Sequence, residues 1–186
     1  MNFRKEKYQR WIGSSEICKK DFNVFLEKQV IVRIEENKLW SRRYMDKADH
    51  NMDFATIVTN IHKDFIKERF QNKTFYDWTT IAYYYAVYHA ALSLLANSGY
   101  KSRSHIATLC GVIYYYYHKN KDFKKKHIDV LRDIDKENID QFIETQNLRE
   151  RASYGISISF EERLAEIAKN DAIEFLNKSK NVLRRR

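Results

Sequence analysis

The chain has 186 residues, enough for one domain with a substantial core, and its 44% hydrophobic and 15% aromatic content excludes a disordered polymer. It contains no proline and four glycines, a composition that argues against the turn-rich punctuation of a sandwich or barrel and makes all-α the expected fold class. A formal net charge of +9 favours association with polyanions such as RNA. Apolar runs are broken well before membrane-spanning length, and the start MNFRKEKYQRW lacks the apolar core of a secretory signal, so a cytoplasmic protein with no membrane partner is expected.

Residues 1–36 read as a basic extension packed on or flanking the rest, and residues 37–186 as a single helical bundle. Within the extension, Val30 to Ile34 is a β-branched stretch that fits either a strand-like arm or another helix. From Asn37 the positions Leu39, Met45, Ala48, Met52, Ala55, Val58, Ile61 and Phe65 keep one apolar face through about eight turns, which predicts a long first core helix. A polar turn at Gln71 to Thr74 separates it from a second helix whose apolar face is Trp78, Ile81, Tyr85, Tyr88, Leu92 and Leu95, so the two are expected to pack antiparallel.

Gly99 is placed to close that second helix in the left-handed conformation, and Ser104 to cap a third that runs from His105 to Tyr117. Four consecutive tyrosines, Tyr114 to Tyr117, spread around a helix, so some are expected at a dimer interface or groove surface. A fourth helix is predicted over Ile134 to Arg151, ending near Gly155. Ser159 precedes Glu162 by three residues, a capping-box arrangement ahead of a last helix carrying Leu164, Ile167, Ala168, Ala172, Phe175, Leu176 and Leu183. Basic residues gather at Arg4 to Arg10, at Lys119 to His127 and at Arg184 to Arg186; charge alone leaves open whether these are binding surfaces or solvated faces. Cys18 and Cys110 lie far apart without a Cys-x-x-Cys or His-rich motif, so both are expected reduced, and no metal or cofactor is implied.

Three blocks in this order resemble the HEPN family of small helical-bundle proteins. Tyr84-Tyr85-Ala86-Val87-Tyr88-His89-Ala90-Ala91 resembles the family's Tyr-Tyr-x-x-Phe-His-Ala-Ala run, with Tyr88 at the Phe position. Gly99-Tyr100 through Ser104-His105 resembles its Gly-Tyr and Ser-His pair, and Arg149-Glu150-Arg151-Ala152-Ser153-Tyr154 its Arg-x-x-Ala-Asp-Tyr element, with Ser153 in place of Asp. The likeness covers roughly residue 25 to the end. It implies an antiparallel bundle of four to five helices and a homodimer, often paired with a minimal nucleotidyltransferase in a toxin and antitoxin arrangement. It also implies that active members are metal-independent endoribonucleases carrying Arg-x4–6-His.

That motif has a chemical reason: a guanidinium grips a phosphate bidentately while a nearby imidazole moves the proton of an attacking ribose hydroxyl or of the leaving group. Here Arg149 is followed by Tyr154 where the His belongs, and a phenol with a pKa near 10 is a poor general base at neutral pH. The literal match Arg43-x6-His50, on the first long helix, reads as a chance occurrence.

The resemblance makes Arg149, Tyr154 and His105 the candidate catalytic residues, with Arg151, Arg103 and Ser104 as substrate contacts. Each has a plainer role: a salt-bridged arginine near a helix end, a packed tyrosine, a first-turn histidine. At a helix start the positive dipole end favours the neutral imidazole of His105, while His89, among tyrosines, reads as a satisfied core or interface histidine. In family members a tyrosine near the catalytic His can be adenylylated by the partner, a further possibility for Tyr154. The expected function is binding or cleavage of RNA. The alternative is a catalytically silent nucleotide-binding or scaffold module, and a third reading is a dimerisation unit with solubilising tails.

Overall fold

The computed structural model describes residues 3–69, 75–133 and 157–185. Helices α1 (Phe3–Gly13) and α2 (Ser15–Glu27) lead into a short strand β1 (Ile31–Arg33) and the long helix α3 (Asn37–Ile61). A π-helical turn at His62–Ile66 and the brief α4 (Lys67–Arg69) complete that arm. Next come α5 (Tyr76–Asn97), strand β2 (Tyr100–Ser102), α6 (His105–Val112) running into a π-helical segment Ile113–Lys119, α7 (Lys125–Asp133) and α8 (Ser157–Arg184). The all-α expectation holds, with one small exception. Val30 to Ile34, open from periodicity, contains the strand β1, which pairs antiparallel with β2 in the register Ile31 to Ser102 and Arg33 to Tyr100.

Helix α5 is the axis of the bundle. It packs most extensively on α3 and α8 and is buried on nearly every side from Ala86 to Ala96. The pairing with α3 is antiparallel, as residue partners show: Ser41 meets Ser93 at 3.0 Å, Asn51 meets His89 at 3.1 Å, and Thr59 meets Tyr83 at 3.4 Å. The seam is made of small side chains, Ser41, Ala48, Ala55 and Thr59, facing Ala86, Ala90 and Ser93. Small residues let two helices approach closely, so the large apolar residues of α3 are displaced to its flank.

That displacement corrects two expectations. On α3, Ala48 and Ala55 are buried as predicted, but Leu39 and Ile61, and Phe65 in the turn that follows, are exposed. On α5, Tyr88 and Leu95 are buried, whereas Trp78 is 60% exposed and Tyr85 also faces outward; Thr79, Thr80 and Tyr83 take the inner positions. The threonines are tolerated inside because both hydroxyls bond the Tyr76 carbonyl, at 2.9 and 2.8 Å.

Gly99 has φ +90, the left-handed close expected after α5, and the Ser104 side chain accepts from the Ala107 N–H. The third helix is α-helical only as far as Val112; from Ile113 its turns widen. Here the tyrosines pack in two directions, Tyr114 and Tyr115 against the N-terminal extension and Tyr116 against α5. Tyr116 is buried and donates to the Leu94 carbonyl at 2.7 Å, while Tyr114 and Tyr115 lie 5.5 Å from Phe22 of α2. Trp11, Tyr8, Cys18 and Phe22 of the first two helices are fully or almost fully buried in the same core.

The last helix is already under way at Ser157, so Ser159 falls within it rather than capping it. Its joint to α5 includes Tyr76, whose phenol is pushed up to about 12 by burial first and by Glu162 second. The predicted Ile134 to Arg151 helix lies outside the described residues. Among those described, no helix is long and apolar enough to cross a membrane, and no three side chains form a metal-binding group.

Candidate nucleic-acid interface

His105 opens α6, one residue after the Ser104 cap, and its ring stacks on Tyr88 with centroids 3.7 Å apart and planes within 13° of parallel. The β1–β2 pairing fixes this arrangement from below. Ser102 bonds the Ser104 backbone, and the Thr108 hydroxyl donates to the Ser104 carbonyl at 2.8 Å. The family-like blocks around Tyr88 and His105 thus meet in space. The pocket beside His105 is only about 20 Å³, room for a water and not for a nucleotide.

His89, one residue on from Tyr88, accepts from the Asn51 amide at its Nδ1 when oriented as the 3.1 Å contact requires. Burial, and secondarily the charges of Lys47 and His105, hold its pKa below the ordinary imidazole value. It is the satisfied, neutral histidine expected from its neighbours.

Beside this pair, the start of α3 and the strand β2 build a surface of cations and aromatic rings. The Lys101 ammonium sits 2.8 Å from the centroid of Trp40, and the Arg43 guanidinium 5.2 Å from the same centroid. Partial desolvation, then the charges of Arg43 and Arg103, hold Lys101 below its usual pKa of 10.5. Three cations therefore crowd one place, and none of them has a carboxylate partner among the described residues. Tyr44 packs against Trp40 at 6.1 Å, extending the aromatic floor.

Of the sequence candidates, Arg103 is near enough to Lys101 to act on it, while Ser104 caps the helix that His105 opens and His105 stacks on Tyr88. Arg149, Arg151 and Tyr154 lie outside the described residues. Arg43 and His50 are both exposed on α3, two turns or about 10 Å apart along its axis, a poor arrangement for one phosphate. Trp40 and Lys101 were not among the sequence candidates. Trp40, Arg43 and Lys47 are spaced by three and four, a legible stripe, but only the strand pairing brings Lys101 to it.

The basic run at Lys119 to His127 is partly accounted for by internal pairing. Lys125 bridges Asp129 at 2.9 Å, Lys126 bridges Glu174, and His127 is buried with its Nδ1 accepting from the Lys124 N–H at 3.0 Å.

The fold and this surface define a helical bundle with one basic, aromatic-lined face. The family model described as HEPN domain matches residues 64–182, more than half of the chain. The chain belongs to the HEPN family, and with it to a class of helical modules associated with nucleotides and RNA. Searches of curated proteins and of solved structures gave no match.

Proposed function

We propose that the chain binds RNA through the face formed by Trp40, Arg43, Lys101 and Arg103, working as a homodimer and as the toxin-side partner of a nucleotidyltransferase. The observation that carries this reading is the placement of Lys101 and Arg43 over one indole, with Arg103 near enough to Lys101 to help lower its pKa, and without a counter-charge among the described residues. Like charges held together raise the local potential, and a phosphate chain relieves it while bases stack on the ring. The dimer reading is supported by an apolar stripe along α3 and the π-helical turn after it, where Ile57 is 57%, Phe54 48% and Phe65 47% exposed, together with Trp78 of α5. Aromatic and aliphatic side chains of this kind form the cores of protein interfaces.

Cleavage, as the family resemblance frames it, would need Arg149 to hold the phosphate and a base to take the proton of the attacking 2′-hydroxyl, the leaving 5′-oxygen being protonated in turn. The Tyr in place of His after Arg149 favours the second reading, a silent nucleotide-binding or scaffold module. Incubating the purified dimer with labelled RNA in EDTA separates them. Cleavage that is abolished in Arg149→Ala supports the ribonuclease reading. Binding without cleavage supports the silent module, and no binding even at low salt contradicts both RNA readings.

A further inference from the structure

Cys18 of α2 and Cys110 of α6 are 92 positions apart in the chain, yet the fold sets their sulfurs 3.9 Å from each other. Each thiol also reaches the other's backbone. The Cys18 thiol donates to the Cys110 carbonyl at 3.5 Å, and the Cys110 thiol to the Cys18 carbonyl at 3.6 Å. Such reciprocal contacts need two backbones that run close together, and Gly111 gives the measure of it: a Cβ there would lie 3.3 Å from Phe22 Cε2 of α2. A disulfide needs its sulfurs about 2.05 Å apart, so the remaining gap is of a size that side-chain rotation closes.

The placement of the pair gives it a purpose. Helix α2 runs into β1 and β2 runs into α6, so the two cysteines flank the two-stranded sheet, and a bond between them would close a loop holding α3, α5 and both strands. The first two helices precede the residues 64–182 that the family model matches. Their ties to the bundle are non-covalent, among them the Tyr8 hydroxyl donating to Asp129 at 2.5 Å and His118 Nε2 on the Trp11 carbonyl at 2.7 Å.

We propose that Cys18 and Cys110 are a redox latch, a disulfide made as α2 closes on α6 that fastens the N-terminal helices to the bundle. The oxidant is a small disulfide of the glutathione class. A cysteine thiolate of the open chain attacks one of its sulfurs, that S–S bond breaks, and one small thiolate leaves and takes up a proton. The second cysteine, deprotonated in turn, attacks the protein-side sulfur of the mixed disulfide, and the other small thiolate leaves. Two protein thiols are thereby oxidised and one small disulfide is reduced to two thiols. Packing drives the second step: both sulfurs are fully buried beside Phe22 and Gly111, where a glutathione adduct has no room. The same burial bars exchange in either direction once the chain has folded, so the latch is set during folding and holds afterwards. It stands apart from the RNA reading.

Refolding the full chain from denaturant with oxidised and reduced glutathione at about pH 8 tests this. Alkylation in denaturant followed by mass spectrometry should find both thiols lost, no glutathione bound and the bond within one chain. The latched protein should melt about 5–10 °C above the reduced one, because the loop it closes is long. Cys18→Ala and Cys110→Ala, refolded in the same way, should show no such rise. Reduced glutathione should leave the bond intact in the folded protein and open it in denaturant. Two free thiols, a bound glutathione or a bond between two chains would overturn the proposal, as would a bonded chain that melts no higher than the reduced one or is reduced readily while folded.

Discussion

The His105 imidazole lies face to face with the Tyr88 ring, 3.7 Å between centroids, which joins the start of α6 to the middle of α5. Burial raises the Tyr88 phenol above its usual pKa, so this partner stays uncharged at neutral pH. A double-mutant cycle with His105→Ala and Tyr88→Leu should give a coupling of about 0.5–1.5 kcal/mol in urea unfolding. Additive losses would show that the stack carries no specific energy.

Gly111 is required by space rather than by backbone conformation. A Cβ there would meet Leu95 Cδ1 at 2.6 Å and Phe22 Cε2 at 3.3 Å, and both of those side chains are buried. Gly111→Ala should therefore destabilise by about 1–3 kcal/mol despite alanine's better helix propensity. Thermal unfolding checks the sign, and a gain in stability would mean that α2 gives way easily.

Cys18 and Cys110 tie the N-terminal extension to α6, with sulfurs 3.9 Å apart and both side chains fully buried. Burial first, and the neighbouring thiol second, push the Cys110 thiol far up, so the reactive thiolate is suppressed. Neither should react with a disulfide reagent in the folded protein, and both should react in denaturant. Rapid labelling under native conditions would show that the extension opens from the core.

Two histidines make stability depend on pH. His89 and His127 are held below the ordinary value of 6.5, mainly by burial, so the unfolded chain takes up protons that the folded chain refuses. Stability is full above that value and falls as pH drops through it. Glu174, whose own pKa is lowered chiefly by Lys126, faces His127 and offsets part of that cost, leaving His89 the cleaner reporter. Urea midpoints at about pH 7.5 and 5.5 should differ, and His89→Gln should narrow the difference.

The long helices α3, α5 and α8, the start of α6 and their order were legible because they carry strong local signals, such as apolar spacing, Gly99 after the last turn of α5 and Ser104 before the next helix. By contrast, α1, α2 and α7 lie in basic, mixed stretches that read as an extension and a connection. What was not legible depended on which neighbour each face meets. Leu39, Ile61 and Phe65 looked like part of the core face of the first long helix, but Ser41, Ala48, Ala55 and Thr59 form the close seam with α5, and those three large residues are left outside. Some of Tyr114 to Tyr117 were expected at a surface, and nothing in their own spacing reveals that Phe22 of α2 packs against Tyr114 and Tyr115. Of the candidate site, His105, Ser104 and Arg103 were legible through motif and cap. Lys101 against Trp40 was not, since the two are distant in the chain and meet only because β1 pairs with β2.

The central claim is that the face around Trp40 and Lys101 binds RNA, and salt-dependent affinity tests it directly. The affinity of a single-stranded RNA should fall with rising salt. Arg43→Gln combined with Arg103→Gln should weaken binding and lower the log–log salt slope by about 0.7 for each phosphate that is no longer neutralised. Unchanged affinity and slope in that double variant would contradict the account.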